Sequence, residues 1–384
     1  MEGKTETACF AIADISGYTG YLAGVELDHA QDIIADLIDT VVRALRPPFR
    51  LAKLEGDAAF VYAIAGKIDG SLLQDTIEAT YFAFRRRLRN IRQSSICECN
   101  ACRQMPRLDL KFVVHHGEVA KQRMAGHDEL VGRDVILVHR LLKNAVDETL
   151  GGHAYALYSD ACLRAMDIDP AVQGLREHHE AIDIIGNVRC WVRDLHEAWE
   201  KENERQRLEI PAAEAAAVYN FDIAAPRPVV WEHMTAPGHR PKWQGSDYVI
   251  EKHVKGRRGV GTQNHCMHGK DAIVEDILDW RPFDYITFNA LMPIPGAPKV
   301  LFSYVFEDRL GGGTHVSVRV GKVRPKDRKY LEGQLAGFAD YINGAMTNLR
   351  LLVEGQAGTP AVVEEPELLP TPERFLTEPV LGRG

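Results

Sequence analysis

A chain of 384 residues exceeds one ordinary domain and suits about two or three. Its 45% hydrophobic content supports real cores, and a formal net charge of −8 argues against a general nucleic-acid binder. No apolar stretch approaches the roughly 20 residues that span a bilayer. Met1-Glu2-Gly3-Lys4-Thr5-Glu6 carries no signal-peptide core, so cytoplasmic residence is expected. Seven cysteines in such a chain point to thiols or metal rather than structural disulfides.

Cys9–Ala13 reads as a buried strand that continues into Asp14, breaks at Gly17 and leads to an amphipathic helix over Ala30–Leu45. Pro47-Pro48 ends that helix. An apolar strand, a carboxylate at its end and a glycine turn suit a polyphosphate and metal site. Turn N–H groups face an anion and the acid holds a hard cation. Leu51–Leu54 and Ala58–Ile64 read as a hairpin turning at Gly56-Asp57. Its Asp57 supplies a second carboxylate, and two such acids on neighbouring strands can hold two divalent ions. Gln74–Ile91 reads as a helix with a basic, solvated end.

Cys97, Cys99 and Cys102 lie within six residues of one another. Thiolates at this spacing can wrap one Zn²⁺, with His115, His116 or Cys162 as the missing fourth ligand. The alternative is a reduced or redox-active loop. Leu108–His115 reads as a strand, His116–Ala120 as a turn into another, and Val131–Asn144 as a turn and helix. Tyr155–Tyr158 and Val188–Val192 look like the last strands of this part. The order β, α, hairpin, α, β, β, α, β suggests a ferredoxin-like sandwich with additions.

Four segments in order resemble the class III nucleotidyl cyclase catalytic domain across about residues 7–195. Asp14-Ile15-Ser16-Gly17-Tyr18-Thr19 is similar to that family's first metal motif. Lys53 followed by Asp57 is similar to its base-reading lysine and second metal aspartate. His116-Gly117-Glu118-Val119 resembles its His-x-Gly-x-Val segment, and Gly132 through Arg140 its motif ending in Asn-x-x-x-Arg. The resemblance implies Mg²⁺ or Mn²⁺ held by Asp14, Asp57 and the Ile15 carbonyl. It implies a triphosphate on the N–H groups of Gly17, Tyr18 and Thr19. Lys53 and Glu129 would read the base, which for a lysine–acid pair is adenine, so the nucleotide implied is ATP. Arg140 would be the catalytic residue, stabilising charge on the transferring phosphate. The family's site forms between two subunits, so a homodimer is implied. One position departs: the family's ribose-orienting Asn falls on Ile136, which makes no hydrogen bond.

Residues 196–213 read as a charged helical linker with a solvated face. Residues 214–355 form a second unit: strand Val218–Ile223, helix Pro228–Met234, strands Tyr248–Val254, Gly259–His265, Ala272–Trp280, Tyr285–Ala290, Lys299–Glu307 and Thr314–Val320, then helix Lys326–Val353. Trp231-Glu232, Trp243 and Glu275–Pro282 carry a resemblance to the helix-grip fold of the START-like (SRPBCC) superfamily. It implies an apolar cavity for a hydrophobic small molecule. The Pro- and Glu-rich residues 356–384 read as a loose tail. The fold class expected is α+β, a ferredoxin-like cyclase domain followed by a helix-grip domain. The function expected is an adenylate cyclase-like ATP and metal binder that a hydrophobic ligand regulates. The alternative is a catalytically degenerate, non-enzymatic scaffold whose second unit binds a lipid or aromatic ligand.

Overall fold

A computed structural model describes residues 5–25, 27–94, 99–124, 127–150, 152–253, 256–292, 297–310 and 312–356. The chain is mixed α and β. In order, it runs β1 (Thr5–Ser16), α1 (Tyr18–Ala23), α2 (Leu27–Leu45), β2 (Arg50–Glu55), β3 (Ala58–Ile64), α3 (Gly70–Ser94), α4 (Asn100–Gln104), β4 (Asp109–Met124), β5 (His127–Val131), α5 (Arg133–Leu141) and α6 (Val146–Leu150). Then come β6 (Tyr155–Ser159), α7 (Asp160–Ala165), β7 (Arg176–Ile182), β8 (Gly186–Asp194) and α8 (Leu195–Glu204). These strands form one sheet in the order β2-β3-β1-β4-β6-β8-β7, with β5 paired to β4.

Strand β1 lies inside the sheet, between β3 and β4, because alternation gives it two buried faces. Cys9, Ala11, Ala13 and Ile15 belong to the core that includes Ile33, Leu37 and Val41 of α2 and Leu73, Ile77 and Phe84 of α3. Ala8, Phe10 and Ile12 belong to a second cluster with Val135, Val138 and Leu141 of α5. The same alternation fixes which face Asp14 takes: that of Phe10 and Ile12, under α5.

Two expectations need correction, and one strand has no signal in the sequence. His116-Gly117 is not a turn: β4 runs unbroken from Asp109 to Met124, and its antiparallel register with β1 passes straight through both residues. Strand β7 had no apolar alternation to betray it, being a mostly exposed edge strand. The charged linker is not a free solvated run. Helix α8 ends at Glu204, buries Leu195, Ala198 and Trp199, and packs Trp199 on Phe82 with ring centroids 5.4 Å apart.

The remaining elements are β9 (Ala217–Ile223), α9 (Arg227–Thr235), α10 (Pro241–Gln244), β10 (Tyr248–Lys252), β11 (Gln263–His268), β12 (Asp271–Arg281), β13 (Tyr285–Leu291), β14 (Val300–Asp308), β15 (Thr314–Val320) and α11 (Arg328–Gln356). They make a second, antiparallel sheet in the order β10-β11-β12-β13-β14-β15-β9. Strand β11 starts at Gln263, four residues later than the alternation predicts, because Gly261 takes a left-handed φ of 88°. Helix α11 buries Leu331, Ile342, Met346, Leu349 and Val353 and lies against α10 and β9. Trp231 is buried edge-on to Trp280 and Phe306 at 4.8 and 5.2 Å.

The interior of this second sheet carries a polar pair. Arg240 and Glu275 face each other there as a buried bidentate pair, both contacts 2.7 Å. The cavity they line with Trp280, Phe288 and Tyr304 measures about 10 Å³, room for roughly one water.

Polar groups join the two sheets. Arg257 donates to Glu78 of α3 at 2.8 Å and lies 3.9 Å from Asp75. Trp280 Nε1 donates to Asp75 at 3.1 Å. Arg258 meets Asp69 at 3.1 Å and Glu232 at 3.2 Å. Burial pushes the carboxyl of Asp75 up to about 6 and that of Glu232 up to about 7, against the pull of the arginines. Both groups hold a proton more tightly folded than unfolded. Their contribution is full below the unfolded value of about 4 and is lost as pH climbs through about 6 to 7. Denaturant midpoints are therefore expected to fall between pH 5 and pH 8, and Asp75→Asn to flatten the lower half of that decline.

Candidate functional site

The register of β1 places Asp14 directly opposite Lys111 of β4 on one side and Ala58 of β3 on the other. Lys111 Nζ lies 3.4 Å from the Asp14 carboxylate, and both side chains are largely buried. Asp57 precedes Ala58 in the hairpin turn, and its carbonyl accepts from the Ile15 N–H at 3.3 Å. The backbone of Asp57 is thus tied to the end of β1 that carries Asp14, near enough for the charge of one acid to act on the other. Burial, then the charge of Asp14, pushes Asp57 up to about 6. Burial also raises Asp14, and Lys111 opposes that rise. Both carboxyls therefore hold a proton more tightly than free aspartates do. Among the described residues no group of three or more His, Cys, Asp or Glu side chains is placed to hold an ion. That does not count against Mg²⁺, which takes one or two carboxylates and fills its other positions with phosphate and water. The donor set fits a hard cation bound together with a nucleotide.

Gly17 follows at φ 84°, exposed, and opens α1, so Tyr18 and Thr19 form its first turn beside the acids. A β-carbon at Gly17 would strain the backbone and meet the Arg107 carbonyl at 3.3 Å.

A separate cleft of about 560 Å³ lies between β2 and α5. Lys53, Glu55 and His139 line it, and so do Ile136 and Arg140 on the exposed side of α5 and Lys143 in the turn that follows it. Lys53 Nζ sits 3.0 Å from Glu55 and 3.9 Å from Glu129, so the two residues expected to read a base do meet. His139 Nε2 lies 3.2 Å from Glu55. Burial works against it, but Lys53 and His139 together hold Glu55 below the usual carboxylate range. Asp14 and Asp57 do not line this cleft. The site residues thus form two groups on one chain: acids with the glycine turn, and Lys53, Glu129 and Arg140 with α5.

Comparison with known proteins adds the following. The family model described as a protein of unknown function, DUF2652, matches residues 34–150. The chain is 40% identical over 134 residues to the uncharacterized protein Rv2561/Rv2562 of Mycobacterium tuberculosis, a match covering 35% of this chain and 60% of that relative. The chain thus spans 60% of that relative's length. Similar solved structures include a bacterial light-regulated adenylyl cyclase, with 10% identity and a TM-score of 0.38 over 53% of this chain and 58% of that one. The adenylyl cyclase CyaB from P. aeruginosa has 14% identity and a TM-score of 0.35 over 55% and 100%. The guanylyl cyclase Cya2 has 15% identity and a TM-score of 0.37 over 50% and 93%. Among the described residues no helix is long and apolar enough to cross a membrane.

Of the cysteine cluster, Cys97 and the tail residues 357–384 lie outside the described residues. Cys99 and Cys102 flank the start of α4, half-buried against the first core. Two candidate fourth ligands are engaged elsewhere. His115 Nδ1 bonds the Ser159 hydroxyl at 2.7 Å, and Cys162 is buried beside Cys9.

Sequence reasoning missed Lys111, Glu55, His139 and Lys143. Lys111 becomes visible only through cross-strand register. It also missed why Gly117 is glycine: a β-carbon there would fall 2.3 Å from the Asp134 carboxyl. Asp134 cannot swing away, because it accepts from the Glu118 N–H at 2.7 Å and lies 3.4 Å from His115. Gly117→Ala is therefore expected to destabilise the fold by about 1–3 kcal/mol, read as a lower denaturant midpoint.

Proposed function

We propose that this chain binds ATP with Mg²⁺ or Mn²⁺ and acts as an adenylate cyclase-like protein. The observation that carries the reading is that the Asp57 backbone is bonded to the end of β1 that carries Asp14, beside the Gly17 turn. A bound divalent cation would supply charge for the attacking and leaving oxygens of phosphoryl transfer. Asp14, Asp57 and the Ile15 carbonyl would hold it. The N–H groups of Gly17, Tyr18 and Thr19 would meet the triphosphate. Lys53 would donate to the base and Glu129 accept from it, and Arg140 would stabilise the transferring phosphate. Asp14 and Asp57 do not line the Lys53–Arg140 cleft, and in this reading the complete site would be assembled by a homodimer, each copy lending one group. Residues 1–195 would form the cyclase-like domain, 196–213 the linker, and 214–355 a helix-grip domain of START-like type. A long helix packed on an antiparallel sheet supports that last assignment. The 10 Å³ cavity would have to open for a hydrophobic regulator to enter.

Purified protein with ATP and Mn²⁺ tests this reading. Cyclic AMP formation that disappears in Asp57→Ala supports it. No product and no calorimetric heat of nucleotide binding would remove it. The second reading, a non-enzymatic scaffold, is favoured by Ile136, which is 58% exposed where a hydrogen-bonding residue is wanted. Binding without turnover, with activity gained in Ile136→Asn, would identify that case.

A further inference from the structure

Backbone register fixes where Lys111 stands. It lies directly opposite Asp14 across the β1–β4 pair, and residues so paired share a face of the sheet. Leu110 and Phe112 on either side of it are fully buried in the first core, so the strand cannot turn Lys111 away. Its Nζ lies 3.4 Å from the Asp14 carboxylate, and each of the two side chains is only 16% exposed. Among the described residues Asp14 is the one ion-pair partner of Lys111. The charge of Lys111 also acts on Asp57. Asp147, whose charge reaches Asp14 as well, is bonded instead to His153 at 3.0 Å. The two acids at this end of β1 therefore share a single built-in cation, held in place by the sheet.

Resting on the metal and nucleotide reading above, we propose that Lys111 is a specificity-determining residue. It is a tethered cation that keeps a bare divalent ion off the acids and admits one only together with a polyphosphate. Ionised, Asp14 and Asp57 carry two negative charges, and Lys111 takes back one of them. Its ammonium repels a divalent ion held by the same carboxylate, and little water lies there to screen the repulsion. A triphosphate brings several negative charges and oxygen ligands of its own. Mg²⁺ suits a site of one or two carboxylates completed by phosphate. Ion and nucleotide therefore bind cooperatively, and the coupling is reciprocal, each raising the affinity of the other. Without an ion, Lys111 spares Asp14 the cost of a buried charge with no partner.

Titration of the full chain with Mn²⁺ alone, followed by the paramagnetic resonance signal of the free ion, tests this without turnover. Lys111→Gln keeps a hydrogen-bond donor and loses the charge, and it should bind Mn²⁺ about tenfold or more tighter than wild type. Lys111→Arg keeps the charge and should bind no tighter than wild type. Adding Asp14→Ala to Lys111→Gln should abolish the gain, which places the ion on that acid. Equal or weaker Mn²⁺ binding by Lys111→Gln, in protein whose thermal melt shows it folded, would overturn the proposal. Should that variant not fold, the wild-type chain decides: Mn²⁺ bound as tightly without ATP as with it would overturn the proposal too. In either case calorimetric binding of ATP with Mn²⁺ would leave the nucleotide reading standing. If the wild-type chain binds neither Mn²⁺ nor ATP, both readings fall together.

Discussion

Asp57→Ala is expected to weaken Mn²⁺-supported ATP binding by about 100-fold or more, since losing even a residue behind a metal ligand costs about 10–100-fold. The reason lies in the turn that holds the acid. Asp57 stands beside Asp14 with its carboxyl pushed up to about 6 by burial and by its neighbour's charge. A divalent cation reverses that balance, because the two negative charges that repel each other then share one partner. Lys111 cannot substitute, since its ammonium reaches Asp14 from the opposite strand and brings a single charge. The same argument says the variant will fold. Removing an acid whose ionised form is disfavoured in the native state should hold or raise the thermal midpoint. Calorimetry beside a thermal melt checks both statements. Wild-type ATP affinity in Asp57→Ala would take the carboxylate pair out of the site. Asp57→Asn, which keeps the volume and loses the charge, should match the alanine variant.

How much of this was legible beforehand depends on whether a residue's role is local. Strand β1 was readable because Cys9 to Ala13 alternate between two buried faces with no polar interruption. The buried faces of α5 and α2 were readable at helical spacing for the same reason. Contacts between residues distant in sequence were not. Gly117 looked like a turn residue, but its missing β-carbon makes room for Asp134 while the strand continues. Lys111 looked like an ordinary polar strand position until register set it against Asp14. The run from Glu197 to Arg207 looked solvated, yet Arg205 reaches the buried Asp279 at 2.8 Å and its carbonyl accepts from Arg281, also at 2.8 Å. Charge alone does not distinguish a solvated helix from one whose charges have partners on another sheet.

The second large effect is expected at the seam between the sheets. Arg257→Met should cost about 3–5 kcal/mol, the range for breaking a buried ion pair by removing one partner. Glu78 is held by Arg257 at 2.8 Å and by Arg193 at 3.2 Å, so the variant leaves it one cation instead of two. Asp75, fully buried, would keep only the Trp280 N–H and the more distant Arg258. Part of the cost can be relieved by protonation, so the penalty should shrink at pH 5 and be largest at pH 8. Arg257→Lys should recover part of the loss, because an ammonium keeps the charge but not the two-pronged contact with Glu78. The bond from Trp280 to Asp75 makes the change observable. If Arg257 locks the sheets together, denaturation followed by tryptophan fluorescence should pass from one cooperative transition to two, with the Trp280 environment lost first. An unchanged midpoint at pH 8 would mean that apolar packing, and not these charges, holds the sheets together.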